Sequence, residues 1–271
     1  MRSLLRALVV LALLCGSAAL GFLLKCQLLE PYTQTAALNF VNSIVALLVT
    51  IAAIVMGLLI NATKTFIETT EDRWTNYATL LIRLDQSMRN YGPDAEPIRR
   101  RLQSFTAAVI VNFWQGEAIA AGVRYPDIRK ISKYETQQVL TSLLTRIKLE
   151  IIQMKRPDPL RERLAANCFD QYKEFATARW SLVIEPERSL RATFFRMLVS
   201  WLMMIFLCFG LRASANPLEM IVIALAAITL SSMTFAITDM LDPYKGRYNI
   251  SSKNMHHALD VMLRDDITHP S

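Results

Sequence analysis

Residues 37–60 read ALNFVNSIVALLVTIAAIVMGLLI, an uncharged and strongly apolar run. At a rise of about 1.5 Å per residue, a helix of this length crosses the ~30 Å hydrocarbon core of a bilayer. No glycine or proline lies between Leu58 and Tyr91. The same helix is therefore expected to continue for about 32 residues beyond the membrane, until Gly92 and Pro93 end it. The sequence predicts a membrane span that is continuous with a long polar helix.

Three further apolar stretches surround this one, at residues 4–24, 194–211 and 218–238. The four stretches together contain only three charged residues, Arg6, Arg196 and Glu219, and the mean hydropathy of the chain is +0.28. The predicted fold class is an all-α membrane protein with four transmembrane helices. Residues 61–193 form an insert between spans 2 and 3, and residues 241–271 form a tail. This composition argues against a soluble enzyme and against a disordered chain.

The first span has an alternative interpretation. Residues 1–21 fit a signal peptide, because Arg2 and Arg6 precede an apolar run that ends in small residues at positions 16–19. The apolar run continues to Leu24, which is long for a signal core and sufficient for a span.

The positive charges predict the topology. Four spans place the N-terminus, the insert and the tail on one side of the membrane. Of the 30 lysines and arginines, only Lys25 and Arg212 fall in the two short loops on the other side. Both termini and residues 61–193 are therefore expected to be cytoplasmic. The net charge of +7 is explained by an anionic membrane surface, so the bilayer is the expected partner and nucleic acid is not.

The insert is predicted to be a helical bundle without strands. One amphipathic helix covers 94–119 with Asp94 as a candidate cap, and residues 132–135 read as a capping box that starts another. Asp158 followed by Pro159 is a typical start signal for a third. The run Arg99-Arg100-Arg101 is interpreted as a solvated helix face, with a phosphate or lipid headgroup site as the alternative.

Sequence motifs of enzymes and metal sites are absent. The three histidines lie in the last sixteen residues, the four cysteines have no paired metal spacing, and no glycine-rich phosphate loop is present. We therefore predict no catalytic residue, no metal and no cofactor.

The second span differs in composition between its faces. Small and polar residues recur at intervals of three or four along a single face: Asn39, Ser43, Ala46, Thr50, Ala53, Gly57, Asn61 and Lys64. Such a stripe either allows close helix packing or lines a hydrated path for an ion. The fourth span repeats the pattern with Ala224, Ala227, Ser231, Thr234 and Thr238, so the two stripes are expected to face each other, which favours packing.

Three ionisable residues near the spans have local explanations. Glu219 follows Asn216 and Pro217, which together resemble a helix start, and ion interaction is the alternative. Arg196 lies near a helix end, from which it can reach the headgroups. Asp239, directly after Thr238, is interpreted as an interfacial carboxylate.

The turn after the fourth span carries a family resemblance. Leu241-Asp242-Pro243-Tyr244-Lys245-Gly246, followed by Ser251, resembles the motif of a bacterial bestrophin-like membrane family, distant relatives of the bestrophin anion channels. The resemblance extends over nearly the whole chain, through Gly57-Leu58-Leu59, Lys64, residues 81–85, Tyr91-Gly92-Pro93, Arg179-Trp180 and Phe209-Gly210-Leu211. It implies an inner-membrane homo-oligomer, usually a pentamer, whose second span lines an anion pore.

Some features depart from that pattern. Tyr244 stands where the family has phenylalanine, and Arg247-Tyr248-Asn249 stands where bestrophins carry an acidic calcium cluster, which argues against calcium gating. Residues 44–55 offer no aromatic constriction, although aliphatic side chains can gate by dewetting. Apart from the family, residues 242–246 can be interpreted as a hinge that returns the tail to the insert.

Two hypotheses follow from the sequence. The leading one is an oligomeric channel for small anions with the path along span 2. The rival is a non-conducting scaffold or sensor that acts through the cytoplasmic bundle.

Overall fold

The computed structural model describes residues 2–27, 35–114, 123, 133–155, 157–183, 188–213, 216–240 and 250–268. This part of the chain forms eight α-helices and one short 3-10 helix at Pro93–Ala95, and it contains no strand. The helices are α1 (Arg2–Gln27), α2 (Thr35–Tyr91), α3 (Glu96–Phe113), α4 (Lys133–Ile152), α5 (Pro159–Val183), α6 (Arg188–Arg212), α7 (Pro217–Met240) and α8 (Lys253–Thr268). The all-helical fold class is confirmed.

The long second helix ends where the sequence predicts. α2 continues to Tyr91, and Gly92 then takes a φ of 110°, a conformation that residues with a side chain rarely adopt. The Gly92 N–H donates to the Arg89 carbonyl at 3.0 Å, and Pro93 begins the 3-10 helix. α1, α2, α6 and α7 are each long and apolar enough to cross a membrane.

The chain divides into two compact units. The span unit comprises Met1–Ile67 and Pro186–Asn249, and the bundle unit comprises Glu68–Glu185 and Ile250–Ser271. α2 supplies residues to both units. The tail, treated as a separate segment in the sequence, contributes α8 to the bundle unit.

In the span unit, α1 packs against both α6 and α7. The α1–α6 contact is a backbone approach: a Cβ added at Gly21 would collide with the Leu207 carbonyl, and one at Gly210 with the Ala18 carbonyl. Ser17 also donates its hydroxyl hydrogen to the Met203 carbonyl at 2.5 Å. Small residues at these points allow the van der Waals contact that holds helices together in a bilayer.

The position of α1 bears on the signal-peptide alternative. Val10, Leu14 and Ala18 are buried in the core of the span unit, together with Leu198 and Phe206 of α6. Cleavage within residues 1–21 would remove these side chains from that core. As an intact helix, α1 therefore contributes side chains to the core of the span unit.

The bundle unit has α3 at its centre, in contact with α4 and α8, and α4 packs in turn on α5. Its largest fully buried side chains are aromatic and include Trp74, Tyr77, Phe105 and Phe175. Tyr77 stacks on Phe175 with ring centroids 5.0 Å apart. This core buries the apolar stripe of the cytoplasmic half of α2.

Local start signals have mixed outcomes. The Arg161 N–H donates to the Asp158 carboxylate at 2.7 Å, so the predicted cap of α5 is confirmed. The Leu218 N–H likewise donates to the Asn216 side chain at 3.1 Å, at the start of α7. The predicted Asp94 cap is wrong, because α3 begins at Glu96 without a side-chain cap and Asp94 instead accepts from Arg161 at 2.8 Å. Residue 132 of the predicted capping box lies outside the described residues.

The arginine triplet does not form a solvated face. Arg100 is exposed, but Arg99 is only 6% exposed and donates to Asp85 at 3.0 Å and to Glu96 at 2.6 Å. Arg99, Arg89 and Gln103 also donate to the Met262 carbonyl of α8. The interpretation of the triplet is therefore wrong for Arg99, which links α2, α3 and α8.

The tail packs on the bundle. α8 contacts α3, and the Trp114 indole N–H donates to the Ile250 carbonyl at 2.7 Å. This is the return of the tail that the hinge interpretation requires. The turn itself, with Asp242, Pro243, Tyr244 and Gly246, lies outside the described residues. Ser251 is described, and its hydroxyl oxygen accepts from the Lys253 N–H at 3.3 Å at the start of α8.

Candidate functional site on the second helix

The membrane half of α2 has three distinct faces. The first is buried in the span unit and consists of Val45, Ala52, Met56, Leu59 and Thr63. These residues recur at intervals of seven, four, three and four, so at about 100° of rotation per residue they form one narrow stripe. This face attaches α2 to the other helices of the span unit.

The small and polar stripe forms the second face, and it is exposed. The described members of the stripe are all exposed in the single chain: Ser43, Ala46, Thr50, Ala53, Gly57, Asn61 and Lys64. Asn39 lies in α2, but its side chain is outside the described residues. The centre of this stripe is roughly 140° around the helix from the buried face.

The third face is also exposed but carries large apolar side chains: Phe40, Ile44, Leu47, Ile51, Ile54 and Leu58. It lies roughly 100° around the helix from the polar stripe. Such a face suits lipid tails or the apolar surface of a neighbouring helix. The two exposed faces of α2 therefore differ in the environment that they suit.

Two positions of the polar stripe show how it relates to the rest of the chain. The Thr50 hydroxyl donates to the Ala46 carbonyl of its own helix at 2.9 Å. A Cβ built on Gly57 meets no atom within 4 Å. The hydrogen bond of Thr50 is thus made within its own helix, and a larger side chain fits at Gly57 in the single chain.

The corresponding stripe of the fourth span behaves differently. Ala224 is exposed, but Ala227, Ser231, Thr234 and Thr238 of α7 are buried, and the Ser231 hydroxyl donates to the Ala7 carbonyl of α1 at 2.7 Å. The expectation that the two stripes face each other is wrong within a single chain, because the α2 stripe is exposed. Helix packing within the chain explains the small and polar residues of α7. It does not explain those of α2, because they are exposed.

Asp239 is buried near the C-terminal end of α7. It is 4% exposed and follows the buried residues Thr234 and Thr238 on the same helix. Its assignment as an interfacial carboxylate stays a prediction. Glu219, at the other end of α7, is exposed, as a residue in a helix-start motif is expected to be.

The described residues contain no group of three or more histidine, cysteine or carboxylate side chains that could hold a metal ion. Burial raises the pKa of the Cys168 thiol to about 11, so at neutral pH it is protonated and a poor nucleophile. A large open groove beside α2 and α5 contains Asp170 and Glu174, but both are exposed and Asp170 pairs with Lys173 at 2.7 Å. These groups lack the burial that tunes acids and bases for catalysis.

Comparison with known families decides the identity of the fold. The profile of the Bestrophin-like domain matches residues 8–255, which covers both units. The chain belongs to the bestrophin-like family. Solved structures agree with this assignment at the level of fold. A bacterial bestrophin homologue from Klebsiella pneumoniae is 16% identical, with a TM-score of 0.62 over 95% of this chain and 97% of that chain. A tryptophan-to-alanine variant of that homologue superposes with a TM-score of 0.65 over 99% of each chain, also at 16% identity.

No curated protein matches the sequence. At this level of identity the structural likeness establishes the bestrophin fold alone. The function of this bestrophin-like protein must therefore be argued from its own residues.

Proposed function

We propose that this bestrophin-like protein is an oligomeric channel for small anions, with its pore lined by the polar stripe of α2. The observation that carries the proposal is the exposure of that stripe on a helix that otherwise presents apolar residues. In a bilayer, a face with Thr50 and Asn61 suits a water-filled path or a second helix better than lipid tails.

Rotational symmetry accommodates the three faces of α2. Around a central axis, one face of each copy packs on its own subunit, one faces the axis, and one meets a neighbour or lipid. With the stripe at the axis, the apolar face carrying Phe40 and Leu58 is directed away from water. A pentamer is the assembly that the family resemblance suggests.

The charges of the stripe favour anions. The stripe contains Lys64 and the Asn61 amide, and no carboxylate lies between Asn39 and Lys64 on any face of α2. A cationic side chain and amide donors lower the energy of an anion in a narrow path. The middle of the path would consist of Ala46, Thr50 and Ala53. Because two of these three side chains are apolar, this part of the path suits gating by dewetting.

A matched pair of substitutions tests the pore assignment. Ala53 belongs to the polar stripe, whereas Ala62 is exposed on the apolar side of the same helix. In liposomes that contain the purified oligomer, we expect A53L to reduce halide efflux by roughly tenfold because it narrows and dries the path. A62L adds the same bulk elsewhere and is expected to conduct as the parent does. G57L is expected to act like A53L.

The rival function is a scaffold or sensor that acts through the bundle unit. The observation in its favour is that α2 continues as one helix from the span unit to Tyr91. Under this alternative the stripe packs between subunits, so A53L would disperse the oligomer in size-exclusion chromatography and the parent protein would show no efflux. Efflux by the parent, together with an intact A53L oligomer that conducts poorly, favours the channel.

A further inference from the structure

Two arginines of the span unit lie inside apolar segments and are exposed. Arg6 comes two residues after Leu4, where the apolar segment of α1 begins, and Arg196 comes three residues after Thr193, where that of α6 begins. Arg196 donates to the Thr193 hydroxyl at 3.3 Å, and among the described residues neither guanidinium forms an ion pair. At this shallow depth a long arginine side chain reaches the level of the lipid phosphates.

The packing of α1 on α6 brings the two arginines to the same level. Contacts along this interface join residues whose numbers differ by between 186 and 192: Ser17 with Met203, Gly21 with Leu207, and Ala18 with Gly210. The two helices therefore run in the same direction. Arg6 and Arg196 differ by 190, which places them side by side near the ends at which both helices begin.

The two arginines also lie close to the sides by which the helices meet. Arg196, Met203 and Gly210 recur at intervals of seven, about 20° short of two full turns, so they share one side of α6. Met203 and Gly210 both contact α1. On α1, Arg6 precedes Ser17 by eleven residues, about 20° more than three full turns. Packed helices lie roughly 8–10 Å apart, so the two guanidinia can reach one group between them.

We propose that Arg6 and Arg196 together bind the phosphodiester of one anionic phospholipid, in the leaflet that meets the first turns of α1 and α6. The predicted topology makes this the cytoplasmic leaflet. Forked guanidinium donors match phosphate oxygens, and two of them exceed the charge of a single phosphate. A headgroup without an ammonium group is therefore preferred to a zwitterionic one.

The surroundings of the two arginines favour a lipid over a free phosphate ion. Leu5 and Leu8 of α1 and Met197 of α6 are exposed apolar side chains beside them in sequence. Such side chains suit the acyl chains of a bound lipid. The site involves none of the residues proposed to line the pore, and the lipid binds whether or not the protein conducts.

The test measures thermal unfolding of the detergent-solubilised full-length protein with added phosphatidylglycerol or phosphatidylcholine. Phosphatidylglycerol raises the Tm of the parent by about 2–4 °C and the effect saturates, whereas phosphatidylcholine has little effect. R6Q and R196Q each lose most of this shift, and the double variant loses no more than either, because both arginines bind one phosphate. The control R212Q removes an exposed arginine from the opposite end of α6 and keeps the full shift.

Three results overturn the proposal. A shift that survives in the double variant shows that the lipid binds elsewhere, and losses that add show that the two arginines act independently. Inorganic phosphate at equal ionic strength that stabilises the parent as strongly as phosphatidylglycerol assigns the arginines to a free anion.

Native mass spectrometry of the delipidated oligomer gives a second readout, in case the glutamine variants do not fold. The parent retains phosphatidylglycerol in preference to phosphatidylcholine, at one molecule per subunit. R6K and R196K keep the charge but lose the forked geometry, so we expect several-fold weaker retention in each. Retention in both lysine variants equal to that of the parent and of R212Q, or no preference in the parent, overturns the proposal.

Discussion

Two glycines show how single residues set the spacing of the span helices. Gly21 and Gly210 lie where the backbones of α1 and α6 come closest, and each leaves no room for a Cβ against the opposing carbonyl. Gly16, on the same helix as Gly21, has no atom within 4 Å of an added Cβ. The three glycines look alike in sequence but differ in what surrounds them.

We expect G210A to lower the stability of the span unit by roughly 1–3 kcal/mol, since the added methyl group forces the two helices apart. G16A places the same methyl group in open space and serves as the control. Both can be compared by the temperature at which the solubilised protein is lost from its size-exclusion peak. Equal midpoints for G210A and the parent would contradict the close approach of α1 and α6.

Arg99 shows which residue roles sequence patterns miss. It belongs to a run of three arginines on an amphipathic helix, and the pattern predicts that such a run faces solvent. Arg99 is buried because Asp85, fourteen positions earlier on another helix, supplies a counter-charge. No local signal identifies such a partner, because the pairing depends on how α2 and α3 pack.

Helix α8 shows how a single element is held on the bundle unit. Its inward face consists of Met255, Ala258, Leu259 and Met262, all at most 1% exposed, while His257 on the same helix is exposed. The Met262 carbonyl also accepts hydrogen bonds from Arg89, Arg99 and Gln103. The helix is therefore held by apolar burial and by charge-assisted hydrogen bonds.

We expect A258D to detach α8, because an unpaired carboxylate buried at a fully enclosed position costs several kcal/mol. H257D introduces the same carboxylate on the exposed side and is expected to leave the helix in place. Limited proteolysis of the tail, followed by mass spectrometry, distinguishes them. Identical cleavage rates in the two variants would argue against the packing of α8 on α3.

The helices themselves were largely predictable, because their signals are local. Apolar length marks the four spans, Gly92 and Pro93 end α2, and Asp158 caps α5. The Asp94 cap failed because its carboxylate binds Arg161, which is distant in sequence and was not visible to a local pattern. Capping motifs compete with tertiary ion pairs for the same oxygen atoms.

At the scale of the whole molecule, the charge distribution predicts orientation. Lys25 and Arg212 are the only basic residues in the two short loops, so those loops are expected outside the cytoplasm. Cys26 lies at the end of α1 and is exposed, and His257 is exposed on α8. The two positions should therefore lie on opposite sides of the membrane.

A membrane-impermeant maleimide tests this in spheroplasts. A variant that retains only Cys26 is expected to be labelled without permeabilisation. H257C, in a background from which the four native cysteines are removed, is expected to be labelled only after permeabilisation. Labelling of H257C but not of Cys26 in intact spheroplasts would show that the topology is the inverse of the proposed one. Labelling of both would contradict four spans, because three of these spans separate the two positions.

Three properties can be derived from the sequence: the protein is helical, four of its segments are long and apolar enough to span a bilayer, and α2 carries a polar stripe. These properties follow from composition, period and local start and stop signals along the chain. Which of the two stripes is buried depends on the packing of the helices: the α7 stripe packs through Ser231 on α1, whereas the α2 stripe is exposed. Small polar residues suit helix packing and a hydrated path equally well, so their role depends on which neighbour the fold provides.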